Sequence, residues 1–290
     1  MTEVRTRLIE ANGIRFEIDE SGEGDDVALL LHGFPESRRC WRRQLPLLAD
    51  SGWRAAAPDM RGYGGSSRPK ERGAYHIDHL VSDAAALFDS LGARRRLLIG
   101  HDWVGIIAWT FALRQTLPLD GLVILNAPHP AVFGRIIRTS WPQRLRSWYA
   151  AYFQLPFLPE ISLTAGRAWM IGRALRQTAQ RPETFPPRLL AHYRGNAAQP
   201  GAMTAMLNYY RANRRFADMV KGPGVAVPTL LIWGEQDTAL GPELVAPTAE
   251  HVPDLTIRRL PDVSHWVQEE APEAVNAALA GWMRERGLAG

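Results

Sequence analysis

The chain is almost without cysteine and lysine. Cys40 is the only cysteine among 290 residues, which excludes an internal disulfide framework and every cysteine-based zinc site. It is expected as a packed or partly exposed thiol. Lys70 and Lys221 are the only lysines, so arginine carries the basic side of the charge balance. No run approaches the ~18 uninterrupted apolar residues of a membrane span. The opening "MTEVRTRLIE" lacks the apolar segment of a secretory leader. Together these absences make the cytoplasm the expected compartment. Net charge is only +4 and no run of five or more like charges forms a basic tail. With no groove-reading motif either, nucleic acid is set aside as a partner. Also missing is any Gly-x-Ser-x-Gly, the turn that marks a serine esterase.

What is present reads as an α/β core with an insertion. The pair "NG" at Asn12-Gly13 turns a hairpin over residues 6–20. "VALLLHG" (Val27 to Gly33) is a near-continuous apolar run, the mark of a strand covered on both faces. A helical pattern covers Ser37 to Asp50, a short strand Trp53 to Asp59, and a helix Ile77 to Leu91. In "LLIGHDWVGIIAW", a buried strand (Leu97, Leu98, Ile99) meets a helix (Ile106 to Leu113) through a turn opened by Gly100 and closed by Gly105. Another strand follows at Gly121 to Asn126. From about 131 to 215 the chain is rich in Arg, Trp, Tyr and Pro and has helical periodicity. Alternation resumes with strands in Pro228 to Asp237 and Leu255 to Leu260 and a long last helix to about Arg286. The expectation is a doubly wound, mostly parallel sheet. Residues 1–130 and 216–290 would form this core, and 131–215 a helical lid inserted between its parts.

Ligands of open α/β sheets bind beyond the carboxyl ends of strands. Four such ends carry polar groups here: His32-Gly33-Phe34-Pro35, Asp102, Asp237 and His265. Any one alone would pass for a turn residue or a packed histidine. The last three follow the chain order nucleophile, acid, histidine of an α/β-hydrolase triad.

The motifs "HGFPES", "DMRGYGGSSRP", "GHDWVG", "NAPHP" and "SHWVQEEAPEAVNAAL" resemble those of the epoxide hydrolases of the α/β-hydrolase fold. The resemblance implies Asp102 as nucleophile, His265 as general base and Asp237 as its orienting acid. It also implies two lid tyrosines that bind and protonate the epoxide oxygen. "LNYYRANRRF" matches the family's Asn-aromatic-Tyr-Arg pattern at Asn208-Tyr209-Tyr210-Arg211, which makes Tyr210 one donor. In "SWYAAYFQLP" the other is Tyr149, with Tyr152 as the alternative. No metal and no cofactor is implied.

The residue types suit the chemistry. A carboxylate is ionised at pH 7 and needs no base to attack an sp³ ring carbon, unlike serine. The attack would leave an ester and an alkoxide, to which a phenol can give a proton. His265, held by Asp237, would then activate a water against the ester carbonyl. Backbone N–H groups of Phe34 and Trp103 would hold the oxyanion. The nearest rival is a haloalkane or haloacid dehalogenase with the same Asp-His-Asp set. Haloalkane dehalogenases usually carry Asn where this chain has Phe34, and fluoroacetate dehalogenases carry arginines just after the nucleophile. A non-catalytic small-molecule binder of the same fold is the third reading. The aromatic-rich lid points to a small apolar or aromatic epoxide, with water as co-substrate. A homo-oligomer is compatible with the sequence. Val104 departs from the small residue usual at its position, and is expected either as compensated packing or as the cause of a displaced turn.

Overall fold

The computed structural model describes residues 3–289. Its strands are β1 (Arg5–Ala11), β2 (Ile14–Ser21), β3 (Asp26–Leu31), β4 (Arg54–Pro58), β5 (Arg95–His101), β6 (Gly121–Leu125), β7 (Thr229–Gly234) and β8 (Leu255–Leu260). They form one sheet in the order β1-β2-β4-β3-β5-β6-β7-β8. β2 runs antiparallel to β1 and β4, and every other pairing is parallel. The β1–β2 hairpin closes at Ala11↔Ile14. Asn12 and Gly13 both have positive φ, as a two-residue turn matched to strand twist requires.

The inner strands feed both faces of the sheet, which is why they read as continuous apolar runs rather than alternating ones. Leu29, Leu31 and Leu98 pack on one face. Ala28, Leu30, Leu97 and Ile99 pack on the other. The first face carries helices α2 (Ile77–Ser90) and α3 (Asp102–Leu113), numbered after the short α1 (Leu45–Asp50) of the second face. Between β6 and β7 come α4 (Pro130–Thr139), α5 (Trp141–Arg146), α6 (Trp148–Tyr152), α7 (Leu158–Thr178), α8 (Pro187–Ala197), α9 (Ala202–Ala212) and α10 (Phe216–Met219). The helical periodicity of this stretch is thus realised as helices, with no strand among its residues. α11 (Val267–Glu270) and α12 (Pro272–Glu285) end the chain. Among the described residues no helix is long and apolar enough to cross a membrane.

Three elements differ from their sequence pattern. The stretch 37–50 is a single turn of 3-10 helix, Arg38–Trp41, followed by α1. Asp59 accepts the Arg38 backbone N–H (2.9 Å), and the Arg38 guanidinium is tied to Glu17, Asp19 and Asp59, so tertiary ion pairs hold the turn apart from the helix. Pro46 then sits in the first turn of α1, where its missing N–H costs nothing. The last helix is divided at Pro272 for the same reason. The third is α3, which begins at Asp102, four residues earlier than Ile106. Gly105 therefore lies inside the helix rather than closing a loop.

Candidate active site

The turn between β5 and α3 is made in one residue. Asp102 has φ of +52°, a left-handed conformation that a side chain other than glycine rarely adopts. It lifts the carboxylate out of the sheet's edge while the helix folds back onto the strand. The contact there is tight. A Cβ on Gly105 would lie 2.3 Å from the Ala127 Cβ, and one on Gly100 would lie 2.9 Å from the Gly105 Cα. Val104, in contrast, is fully buried within the core face of α3. The close approach falls on Gly105, so the valine fills core volume beside it. Val104→Gly should therefore destabilise the fold by about 2–4 kcal/mol, from lost packing and the helical cost of glycine. Turnover should change little. Thermal melts and steady-state rates on one preparation check this, and a large rate change with an unaltered melt would show that the valine displaces the elbow.

Opposite the elbow, β3 delivers His32-Gly33-Phe34. A Cβ on Gly33 would meet the Asp102 Cβ at 2.5 Å, so only glycine lets the two loops approach. The Phe34 N–H donates to Asp102 Oδ2 at 3.0 Å. The Trp103 N–H also points at this carboxylate. Both backbone groups named from the sequence thus converge on Asp102. His32 is fully buried and structural. Its Nε2 accepts the Met60 N–H (3.1 Å), leaving Nδ1 to donate to the Gly33 carbonyl (3.0 Å). Burial pulls its pKa down, consistent with a neutral ring.

β7 and β8 supply the other two groups. Asp237 Oδ2 lies 2.6 Å from His265 Nδ1, and His265 Nε2 lies 3.4 Å from Asp102 Oδ1. Asp237 is fixed by three donors: the Ala239 and Leu240 N–H groups on Oδ1 (2.8 and 2.9 Å) and Asn126 Nδ2 on Oδ2 (2.8 Å). Burial opposes a charge on His265, but Asp237 and Asp102 outweigh it and raise its pKa well above the usual histidine value. Burial likewise opposes ionisation of Asp102, yet hydrogen bonding and attraction from His265 leave its pKa lowered. Each of the two groups thus favours the charged form of the other.

A cavity of about 270 Å³ opens above Asp102. Trp103, Ile106, Phe133, Phe216, Met219 and Leu240 make most of its wall apolar, and Tyr149 and Tyr210 line it too. Their rings are 6.2 Å apart at 84°. Burial first, and the charge of Asp102 second, push both phenol pKa values up, so both remain protonated donors. Tyr152 is placed elsewhere, with its hydroxyl 2.6 Å from Ser162 Oγ. Tyr209 is also structural, fully buried with its hydroxyl on the Arg61 carbonyl (2.9 Å). Arg211 holds the two tyrosine-bearing helices together. From α9 it donates to the Phe153 and Leu155 carbonyls beside α6 (2.8 and 2.7 Å) and pairs with Glu160.

One buried cluster beside His265 has no signal in the sequence pattern. His101 Nε2 donates to the His265 carbonyl (3.0 Å), and its Nδ1 lies 2.9 Å from Glu36 Oε2. Gln268 donates to both Glu36 oxygens (3.2 and 3.0 Å). The His101 ring packs 4.6 Å from that of His265. This network supports the histidine from beneath. Glu36 and Gln268 stand within quoted motifs, but nothing in their spacing shows that they meet. Cys40 is buried and its thiol pKa is raised by that burial.

The fold and this site define an α/β hydrolase: the model of the alpha/beta hydrolase fold family matches residues 27–272, and the chain belongs to that family. The AB hydrolase superfamily protein YfhM of Bacillus subtilis is 36% identical over 99% of this chain and 100% of its own. Epoxide hydrolase 3 of Xenopus tropicalis is 36% identical over 94% of this chain and 76% of its own. The Bacillus megaterium epoxide hydrolase, solved with an inhibitor, superposes with a TM-score of 0.88 at 28% identity, covering 96% of this chain and 100% of that one. Within the family, the chain belongs to the epoxide-hydrolase group.

Proposed function

We propose that this protein hydrolyses an epoxide to a vicinal diol through an ester on Asp102, with residues 131–215 acting as a cap over the site. The observation that carries this reading is the pairing of a carboxylate with two protonated phenols across one apolar cavity. A halide leaving group has no use for a proton donor, and a binder has no use for the histidine dyad behind the carboxylate.

The geometry suggests a division of labour. Asp102 Oδ2 accepts the Phe34 N–H, which leaves Oδ1, facing His265 Nε2 at 3.4 Å, as the oxygen that attacks the ring carbon. The C–O bond of the epoxide breaks as the ester bond forms, and a phenol hands its proton to the departing oxygen. Forming the ester removes the negative charge of Asp102, one of the two charges that hold His265 protonated. With that charge gone its pKa falls. Once His265 has returned its proton to the phenolate by way of solvent, its Nε2 can take one from water. The hydroxide adds to the ester carbonyl, whose oxygen is held by the Phe34 and Trp103 N–H groups. Collapse releases the diol and regenerates Asp102 with one oxygen from water. The cavity size and wall favour small apolar or aromatic epoxides.

Tyr210→Phe tests the phenol's role. Ring opening, followed as a pre-steady-state burst with styrene oxide, should slow roughly 10²-fold, the scale of losing a general acid. Hydrolysis of the ester should be nearly unaffected. Equal losses in both steps would count against the assignment.

A further inference from the structure

The outer surface of the helical segment differs from the rest of the molecule in two independent respects. Among the described residues, nine of the eleven exposed large apolar side chains fall between positions 141 and 170. Trp141, Trp148, Phe157, Ile161 and Trp169 are each more than half exposed. The second respect is charge. Residues 131–181 contain eight arginines, no lysine and a single acid, Glu160, which is drawn onto Arg211. That stretch alone is formally +7 while the whole chain is +4, so the remainder is net acidic. Arg135 and Arg146 are paired with Glu250 and Glu243. Arg138, Arg167, Arg173 and Arg176 are exposed and, among the described residues, have no carboxylate partner.

The two features meet along α7, whose backbone leaves helical geometry at Ala165, Gly166, Arg167 and Ala168. The Arg173 guanidinium lies 5.2 Å over the Trp169 ring. Trp148 packs 6.1 Å from Tyr152, whose hydroxyl meets Ser162, so the exposed side of α6 adjoins the turn of α7 that carries Ile161. Exposed apolar surface of this extent marks an interaction site. A second copy of the chain would bring two strongly positive faces together, and like charges across an interface repel. Nucleic acid would satisfy the arginines, through its phosphates, but offers little to Ile161, Phe157 and their aliphatic neighbours. A bilayer with anionic headgroups satisfies both sets. Aromatic and aliphatic side chains enter the boundary of the acyl region, and arginines engage the phosphates.

We infer that the outer face of residues 138–176 is a docking surface for an anionic lipid bilayer. α6 has Tyr149 and Ala150 on the wall of the cavity above Asp102 and Trp148 on the outer face. Docking thus sets the cavity wall beside the phase in which apolar epoxides dissolve. That corollary rests on the function proposed above, but the docking itself does not.

Flotation of the full chain with phosphatidylcholine vesicles, with and without about a third phosphatidylglycerol, tests it without any epoxide. The protein should float with the anionic vesicles only, and should be released at roughly 0.5 M salt. Arg173→Gln and Arg176→Gln should each weaken binding about fivefold. Trp169→Ser should weaken it with the thermal melt unchanged. Equal binding to neutral vesicles, or none to anionic ones, would overturn the inference. So would a concentration-dependent dimer broken by Trp169→Ser with no vesicle binding, or binding to duplex DNA alone.

Discussion

Asp102→Asn is expected to abolish epoxide turnover, by roughly 10⁴-fold or more, the scale on which removing a catalytic nucleophile acts. The substitution keeps the size of the side chain and its place in the left-handed elbow. It also retains an oxygen for the Phe34 N–H. What it removes is the charge, and a neutral amide is a poor nucleophile toward an sp³ carbon. The loss should therefore fall on ring opening with the melt little changed. Steady-state rates on protein shown by mass to be free of deamidation measure it, and near-normal activity in such material would refute the mechanism. The amide also removes the partner that helps raise the His265 pKa. In this variant His265 should titrate at lower pH than in the native chain, which can be followed by its imidazole resonances.

His265→Gln should separate the two halves of the reaction. Asp102 keeps its nucleophilic oxygens and the Phe34 N–H on Oδ2, and both phenols remain in place, so the ring still opens and the ester forms. Water then has no base at Nε2, and the oxyanion hole alone cannot activate it. The protein should accumulate the mass of one epoxide on Asp102, detectable on the intact chain after mixing, with multiple turnover lost. If the variant accumulates nothing and turns over freely, the base lies elsewhere. Rapid disappearance of the adduct would implicate the buried His101–Glu36 pair, which contacts the His265 carbonyl.

The elbow was legible from sequence because its causes are local. An apolar strand, an acid and two glycines in thirteen residues leave few alternatives, and the close contacts at Gly100 and Gly105 explain both glycines. Chain order placed Asp237 and His265 at the ends of β7 and β8, where the parallel sheet brings them beside Asp102. The choice between Tyr149 and Tyr152 was not local. Both belong to the five-residue α6, and which one faces the cavity depends on where Arg211 and Ser162 hold that helix. The Glu36–His101–Gln268 network was invisible for a similar reason, since three distant loops must fold before its members meet. The break at residues 37–50 follows from an arginine whose acidic partners lie on β2 and beyond β4. Periodicity records the apolar face of a segment but not the ion pairs that bend it.

The proposed mechanism requires that Asp102 become an ester and be hydrolysed at its own carbonyl. A single turnover in ¹⁸O-water, with enzyme in excess over styrene oxide, tests this directly. After digestion, the peptide carrying Asp102 should hold one heavy oxygen, and the diol formed in that turnover should hold none. Label in the diol and none in Asp102 would mean that water attacks the ring itself, and the ester account would be wrong.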